Sequence, residues 1–415
     1  MSLSALRSCA PPSSWPEPPT EFSVSSLAEM EECPRRWALL NASYPAVWAY
    51  RGYPRLPSSS ALAGLAVHLA IETVSTRLVR AGCASAQSHA AIDVMRELGG
   101  YTRVVEDSIS TLLEGLVSNP RATAQLDALR RVLMAQVPRL RARVKKLLSR
   151  IRFVARNAAQ ERPRQTRART ALRPGTHTEV PLRAPTIGWR GTADLLSVNE
   201  SGCEIVDFKA GATSDAHAFQ LQVYALLWHL DQDLNAGGSS ARRLTVAYEH
   251  TETEVPPLDL EELEHFRATL VERTSTARRA IAAGPPQTKP ARDTCGWCQV
   301  RHLCPEYWQS SDAMFRYGES DGETYEDLEL TLIGASGPGS WDATVVAACS
   351  VDRGRRVSLQ LNATHHDVAS PRRRLRLLGA RVSDLRDPAS AGDAILVTLT
   401  PWTEVFIPEV VAPAM

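Results

Sequence analysis

Side chains alternate across a β-strand, and that rule makes the run Glu204-Ile205-Val206-Asp207-Phe208-Lys209-Ala210-Gly211 the strongest constraint on the fold of this chain. Val206 and Phe208 fall on one face, as core positions do, while Asp207 and Lys209 fall side by side on the other. A carboxylate and an ammonium thus meet at a strand end. Upstream, Gly188-Trp189-Arg190-Gly191-Thr192-Ala193-Asp194 ends on a second carboxylate, and the turn Asn199-Glu200-Ser201-Gly202 joins the two segments as a hairpin. Asp194 and Asp207 can then converge on one divalent cation. A surface ion pair on an ordinary strand would show the same local spacing, so composition has to weigh the two. Only four lysines occur, Lys145, Lys146, Lys209 and Lys289, against 43 arginines. A compact, movable ammonium where the chain otherwise uses guanidinium points to a chemical requirement at position 209.

Length and composition suit two domains: 415 residues, 44% hydrophobic and 22% charged. No secretory layout and no apolar run of membrane-spanning length is apparent, so a cytoplasmic location without a membrane partner is expected. The net charge of +1 hides an asymmetry. Between Arg121 and Arg173 sixteen basic residues face only Asp127 and Glu161, a local net charge of +14. Leu129, Val132, Leu133, Val137, Leu140, Val144, Leu147, Leu148 and Ile151 recur at helical spacing through it, which predicts amphipathic helices with a cationic face. Nucleic-acid phosphates are the anions such a face suits, with Arg139, Arg141, Arg143, Lys145, Lys146 and Arg150 as candidate contacts; a solvated arginine-rich surface is the alternative.

Helices are expected over 58–172, with Ser60 as an N-cap and Gly82 as a stop, strands over about 177–209, a helix over about 215–230, a strand near 243–249 and a long helix around 259–282. That order predicts an α/β fold, a mixed sheet flanked by helices. Residues 1–20 are expected to be a flexible leader, and 313–327 an acidic linker containing Glu319, Asp321, Glu323, Glu326 and Asp327. Six short alternating strands over 328–410 predict a small all-β domain, such as an OB-like barrel.

Cys295-Gly296-Trp297-Cys298 and Cys304-Pro305 place three thiols close together, and Cys33-Pro34 offers a fourth. This spacing alone would permit a four-cysteine zinc site. Cys9, Cys83, Cys203 and Cys349 have no motif around them.

Taken in order, Cys33-Pro34-Arg35-Arg36, Gly64-Leu65-Ala66-Val67-His68-Leu69-Ala70-Ile71-Glu72, Gly191 to Asp194, Asp207-Phe208-Lys209, Gln220-Leu221-Gln222-Val223-Tyr224 and the terminal cysteines resemble the RecB-like branch of the PD-(D/E)XK nucleases. Within it, the layout is similar to members that carry an iron-sulfur cluster. The resemblance covers about 21–310 and implies a restriction-endonuclease-like core with a large helical insertion over about 73–172, the nuclease domain running over 21–312. It further implies Mg2+ or Mn2+ held by His68, Asp194, Asp207 and the Phe208 backbone carbonyl, with Lys209 orienting the attacking water. Glu72 is a weaker candidate in the site, Gln220 and Tyr224 would position phosphate or the lysine, and Glu179 matches an upstream acidic position. Cys33, Cys295, Cys298 and Cys304 would hold a 4Fe-4S cluster.

The activity so implied is a DNA nuclease acting on single strands or duplex ends, exonuclease rather than endonuclease. Its setting would be DNA repair, recombination or antiviral defence. Any helicase motor would be a separate protein, because no Gly-x4-Gly-Lys-Ser/Thr loop is present. A DNA-trimming subunit of a spacer-acquisition or other defence complex is one alternative, and a non-catalytic DNA-binding scaffold is another.

Overall fold

The computed structural model describes residues 7–9, 12, 14–48, 52–154, 169–199, 202–209, 211–318, 324–361, 363–385 and 394–408. Two short helices open it, α1 (Val24–Glu32) and α2 (Pro34–Asn41), followed by the long α3 (Ser59–Arg80). The hydroxyl that caps α3 belongs to Ser58 rather than Ser60, and it accepts the Ala61 N–H at 3.1 Å. Past its end, Gly82 takes φ +69, a left-handed conformation that glycine adopts without strain. A bundle forms as α4 (His89–Glu97), α5 (Gly100–Gly115), α6 (Leu126–Ala135) and α7 (Val137–Leu148) fold around α3. Leu129, Leu133, Leu140, Val144 and Leu147 line the interior of this bundle as the periodicity predicts, whereas Val132 stands 36% exposed. Helix α7 ends at Leu148, well short of the expected 172, and Ile151 and Phe153 pack on the bundle outside regular structure. Arg156, Arg162, Arg164 and Arg167 lie outside the described residues.

The central sheet contains β1 (Gly175–Ala184), β2 (Trp189–Asn199), β3 (Gly202–Lys209), β4 (Ala241–Tyr248) and β5 (Glu252–Val255), in that spatial order. Only β3 and β4 run parallel, and helix α8 (Asp215–Leu230) supplies the crossover that a parallel pair needs. The β2–β3 hairpin pairs Leu195 with Val206 and Leu196 with Ile205. Both sheet faces are covered. Leu195, Phe208 and Ala247 pack into the α3 bundle, whereas Leu196, Ile205, Leu244 and Val246 pack against α8. The face that carries Asp207 is therefore core as well, and Asp207 is only 1% exposed; a solvated surface ion pair is excluded. Behind α8 lies α9 (Leu260–Ala282), opened by a reciprocal capping box between Asp259 and Glu262. The cysteine segment holds the short α10 (Arg292–Cys295) and α11 (Pro305–Gln309).

The C-terminal region contains β6 (Arg316–Gly318), β7 (Thr324–Gly337), β8 (Ser340–Ala347), β9 (Arg356–Gln360), β10 (Arg374–Leu385), β11 (Ala394–Thr398) and β12 (Glu404–Phe406). Pairings run β7-β8-β9-β11-β10 and close back from β10 onto β7, so five strands form a barrel with β9–β11 as its one parallel pair. Closure leaves no edge among these five strands, with β6 and β12 added at the ends, in agreement with the OB-like expectation. The acidic stretch before it differs from a solvated linker: Glu326 and Asp327 lie in β7 with no exposure. Glu319, Asp321 and Glu323 fall outside the described residues. The leader is also tied down where it is described. Arg7 and Cys9 bond to Ile407 through their backbones, and Trp15 lies under the Arg35 guanidinium at 5.1 Å.

Helix α3 meets the length and composition of a membrane span, contrary to the expectation that no such run exists, and 56% of its most apolar window is buried inside the protein. That burial is the environment of a core helix.

Candidate active site

Asp194, Asp207 and Lys209 converge at the end of the β2–β3 hairpin, between α3 on one side and α8 on the other. Lys209 Nζ lies 2.8 Å from Asp207 Oδ2. Asp207 Oδ1 accepts a hydrogen bond from Gln220 Nε2 at 3.2 Å, and the same nitrogen donates to Tyr224 Oη at 2.6 Å. Gln220 and Tyr224 can do this together because positions i and i+4 share a helix face. Tyr224 in turn rests on β2 at Gly191, where an added Cβ would come within 2.7 Å of its ring. Asp194 Oδ2 accepts the Phe208 backbone N–H at 2.7 Å and stands 3.8 Å from His68 Nδ1 on α3.

Glu179 also belongs to this site. The β1–β2 register places it opposite Asp194, between the pairs Thr178–Leu195 and Val180–Ala193, and its φ is +49. That conformation is uncommon for a residue with a Cβ and clusters at functional sites. Burial pushes its carboxyl up to about 7, and Asp194, Glu72 and Asp207 push in the same direction. Asp194 is raised by burial first and then by Glu72, and Asp207 by burial and then by Asp194. His68 is held below its ordinary range by burial and next by the Lys209 charge, which favours its neutral form. Four carboxylates, Glu72, Glu179, Asp194 and Asp207, act on this site together with the Lys209 ammonium and, on His68, the Arg143 charge. Each would ionise more readily beside a divalent ion.

Among the described residues no three His, Cys, Asp or Glu side chains stand close enough to enclose a metal ion as they are. The donor set nonetheless suits a hard divalent cation: oxygen ligands dominate, and Asp207 Oδ2, although beside the lysine, is buried without a hydrogen bond of good geometry. Two nearby residues carry no signal in the sequence. His217 Nδ1 lies 2.8 Å from Tyr248 Oη, and Tyr248 pairs in register with Lys209. No local pattern marks this contact, because it depends on β4 packing beside β3.

The cationic helix α7 runs past the same edge. Arg150 donates to the Tyr248 carbonyl at 3.1 Å, Lys146 Nζ lies 2.6 Å from His250 Nδ1, and Arg143 pairs with Glu249 at 3.3 Å. Arg139, Arg141, Lys145 and Lys146 are exposed, while Arg143 and Arg150 are half-buried. Arg121 is not part of a cationic surface. It is buried, and it forms a two-pronged ion pair with Glu404 on β12 at 2.6 and 2.7 Å.

Cys33, Cys295, Cys298 and Cys304 line one pocket together with Arg35, Arg36 and Arg301. None of the eight cysteines is joined in a disulfide. Burial pushes the Cys298 thiol up to about 11 and the Cys304 thiol up to about 12, whereas Arg36 and Arg301 pull Cys298 back toward the thiolate. Buried thiols with guanidinium neighbours are suited to an electron-poor metal group that takes them as thiolates.

A sequence model of the PD-(D/E)XK nuclease superfamily matches residues 21–305, and the chain belongs to that superfamily. It is also similar to the Gene 69 protein of Mycobacterium phage L5, with 27% identity over 146 residues, covering 35% of this chain. The chain spans about half the length of that relative, 49%.

Proposed function

We propose that this protein is a divalent-metal-dependent deoxyribonuclease that hydrolyses phosphodiester bonds in single-stranded DNA or at duplex ends, as an exonuclease. The observation that carries the proposal is the meeting of Asp194, Asp207 and Lys209 in a buried, carboxylate-rich cluster where Asp207 Oδ2 has the Lys209 ammonium 2.8 Å away as its partner. Asp194, Asp207 and His68 would hold Mg2+ or Mn2+. A bound ion there supplies a water of lowered pKa and neutralises charge that grows on the phosphate.

The chain's own residues do the rest. Lys209, fixed against Asp207, presents an ammonium that orients the nucleophilic water and offsets negative charge in the transition state. Gln220 and Tyr224 lock the Asp207 carboxylate from behind. The exposed cations Arg139, Arg141, Lys145 and Lys146 of α7 draw the phosphate backbone toward this edge. The Phe208 backbone serves the site through its N–H to Asp194, and its carbonyl remains a candidate ligand.

Cys33, Cys295, Cys298 and Cys304 would carry a 4Fe-4S cluster that ties the first helices to the end of the nuclease domain. Zinc on the same four thiols is the alternative, and the metal content of anaerobically purified protein separates the two. Degradation of end-labelled and of circular single-stranded DNA, with and without Mg2+, tests the activity. Metal-dependent loss of the linear substrate with the circle spared is expected. Intact DNA in both cases would contradict it.

A further inference from the structure

Beside the cysteine segment opens a groove of about 970 Å³, lined by Trp48, Tyr53, Arg55, Leu56, Ala61 and Trp297 among others. Trp297, between Cys295 and Cys298, is 73% exposed, more than any other large apolar side chain among the described residues. It is nonetheless held in place. Its ring meets Phe315 edge-on at 5.7 Å, and the turn that carries it is closed by the Cys298 N–H bonding to the Cys295 carbonyl at 3.0 Å. A fixed, exposed indole is a platform.

The groove is continuous with the active site along one helix. Ala61 lies on the groove wall, and Ala61, Leu65, His68 and Glu72 share a single face of α3, because residues three and four apart stack on a helix. Ala61 and Leu65 are exposed, Leu65 by 50%, and His68 and Glu72 are partly so. Seven residues of helix separate Ala61 from His68, about 10 Å. Among the described residues no acidic side chain lines the groove, and the one charged lining residue is Arg55, which also pairs with Glu29. Polar groups such as Ser118 and Gln299 complete the walls.

We propose that this groove binds an unpaired stretch of DNA strand, with a base stacked on Trp297, and that the exposed stripe of α3 leads the strand from there to Asp194 and Asp207. The inference rests on the nuclease reading and adds its substrate subsite. A duplex hides its base faces, so an exposed indole gains little from it; a single strand offers a π-face at every base. An acid-free lining accepts the accompanying phosphates.

The test is fluorescence anisotropy with a labelled oligothymidylate and a labelled blunt hairpin duplex, in chelator so that no cleavage occurs. Trp297→Ala should weaken oligothymidylate binding by roughly 5- to 100-fold, the range of one base stack removed, while Trp297→Phe retains most of it and duplex binding stays close to that of the native protein. Leu65→Glu, an exposed position away from the cysteine loop, should weaken the same oligonucleotide by placing a carboxylate in the strand's path. It decides the matter should Trp297→Ala melt early. Unchanged oligonucleotide binding in both variants would overturn the proposal and leave the groove as a docking surface for a protein, and equal losses on both substrates would overturn it too. In either event Mg2+-dependent cleavage by the native chain would leave the nuclease reading standing, whereas absence of that cleavage would remove the reading itself.

Discussion

At the scale of single residues, the raised carboxyls of the site follow first from burial and then from their neighbouring carboxylates. Glu179 shows it most clearly, since its carboxyl is raised from 4.5 to about 7. Between those values the folded state binds more protons than the unfolded chain, so this group's contribution to metal-free stability declines as pH rises through the window. Glu179→Gln should therefore melt higher than the native protein in chelator above the window, with the difference vanishing below it. Thermal unfolding at the two pH values checks this, and a difference that ignores pH would contradict it. Asp194, Asp207 and Lys209 could be read from the chain because strand alternation is local, whereas Gln220 and Tyr224 share a helix face by local spacing but entered the site only through the family resemblance. Glu179 could be only half seen: its inward aim depends on a φ of +49 that no residue type announces. His217 was invisible because its partner Tyr248 is 31 positions away.

At the scale of elements, the hairpin and α8 act as a unit because Gly191 lets the Tyr224 ring lie directly on β2. Gly191→Val should drive that ring off its position, loosening the Gln220 hydrogen bond to Asp207 and costing about 1–3 kcal/mol as overpacked cores do. Denaturant unfolding reads the cost, and a fully stable, fully active variant would contradict the packing account. Helix α7 makes a second prediction. Reversing Arg139, Arg141 and Lys145 to Glu, all exposed, should lower affinity for every DNA sequence alike and flatten the salt slope by about one unit for each phosphate no longer neutralised. Binding isotherms at several salt concentrations measure it; an unchanged slope would assign the face to solvent. The order of strands and helices was legible from periodicity through β4 and α9, but the end of α7 was not. Charge density continues past Leu148 while the apolar period does not, and the period is what decides helix.

At the scale of the whole molecule, the barrel is joined to the nuclease core through the thiol-bearing segment by buried charge. Arg301, between Cys298 and Cys304, pairs with Asp327 of β7, and Tyr307 donates to the same carboxylate. His302 stacks on Phe406 of β12 with ring centroids 3.8 Å apart, and Arg121 pairs with Glu404. In the sequence this acidic stretch looks like a linker because charge usually means solvent, and the partners lie far away along the chain. Removing one member of a buried pair strands the other, at about 3–5 kcal/mol. Glu404→Ala should thus destabilise the protein strongly, while the double change Arg121→Met with Glu404→Leu should recover much of the loss. Equilibrium unfolding of the three proteins decides it, and an undisturbed Glu404→Ala variant would show the pair to be incidental.

The central claim is that Asp207 belongs to a cation site that performs hydrolysis, and calorimetric titration of Mg2+ into native and Asp207→Ala protein, paired with cleavage of end-labelled single-stranded DNA by the same samples, tests it most directly. Asp207→Ala should keep its fold, lose Mg2+ binding at the site and lose cleavage together. An Asp207→Ala protein that still binds Mg2+ and cleaves at the native rate would contradict it.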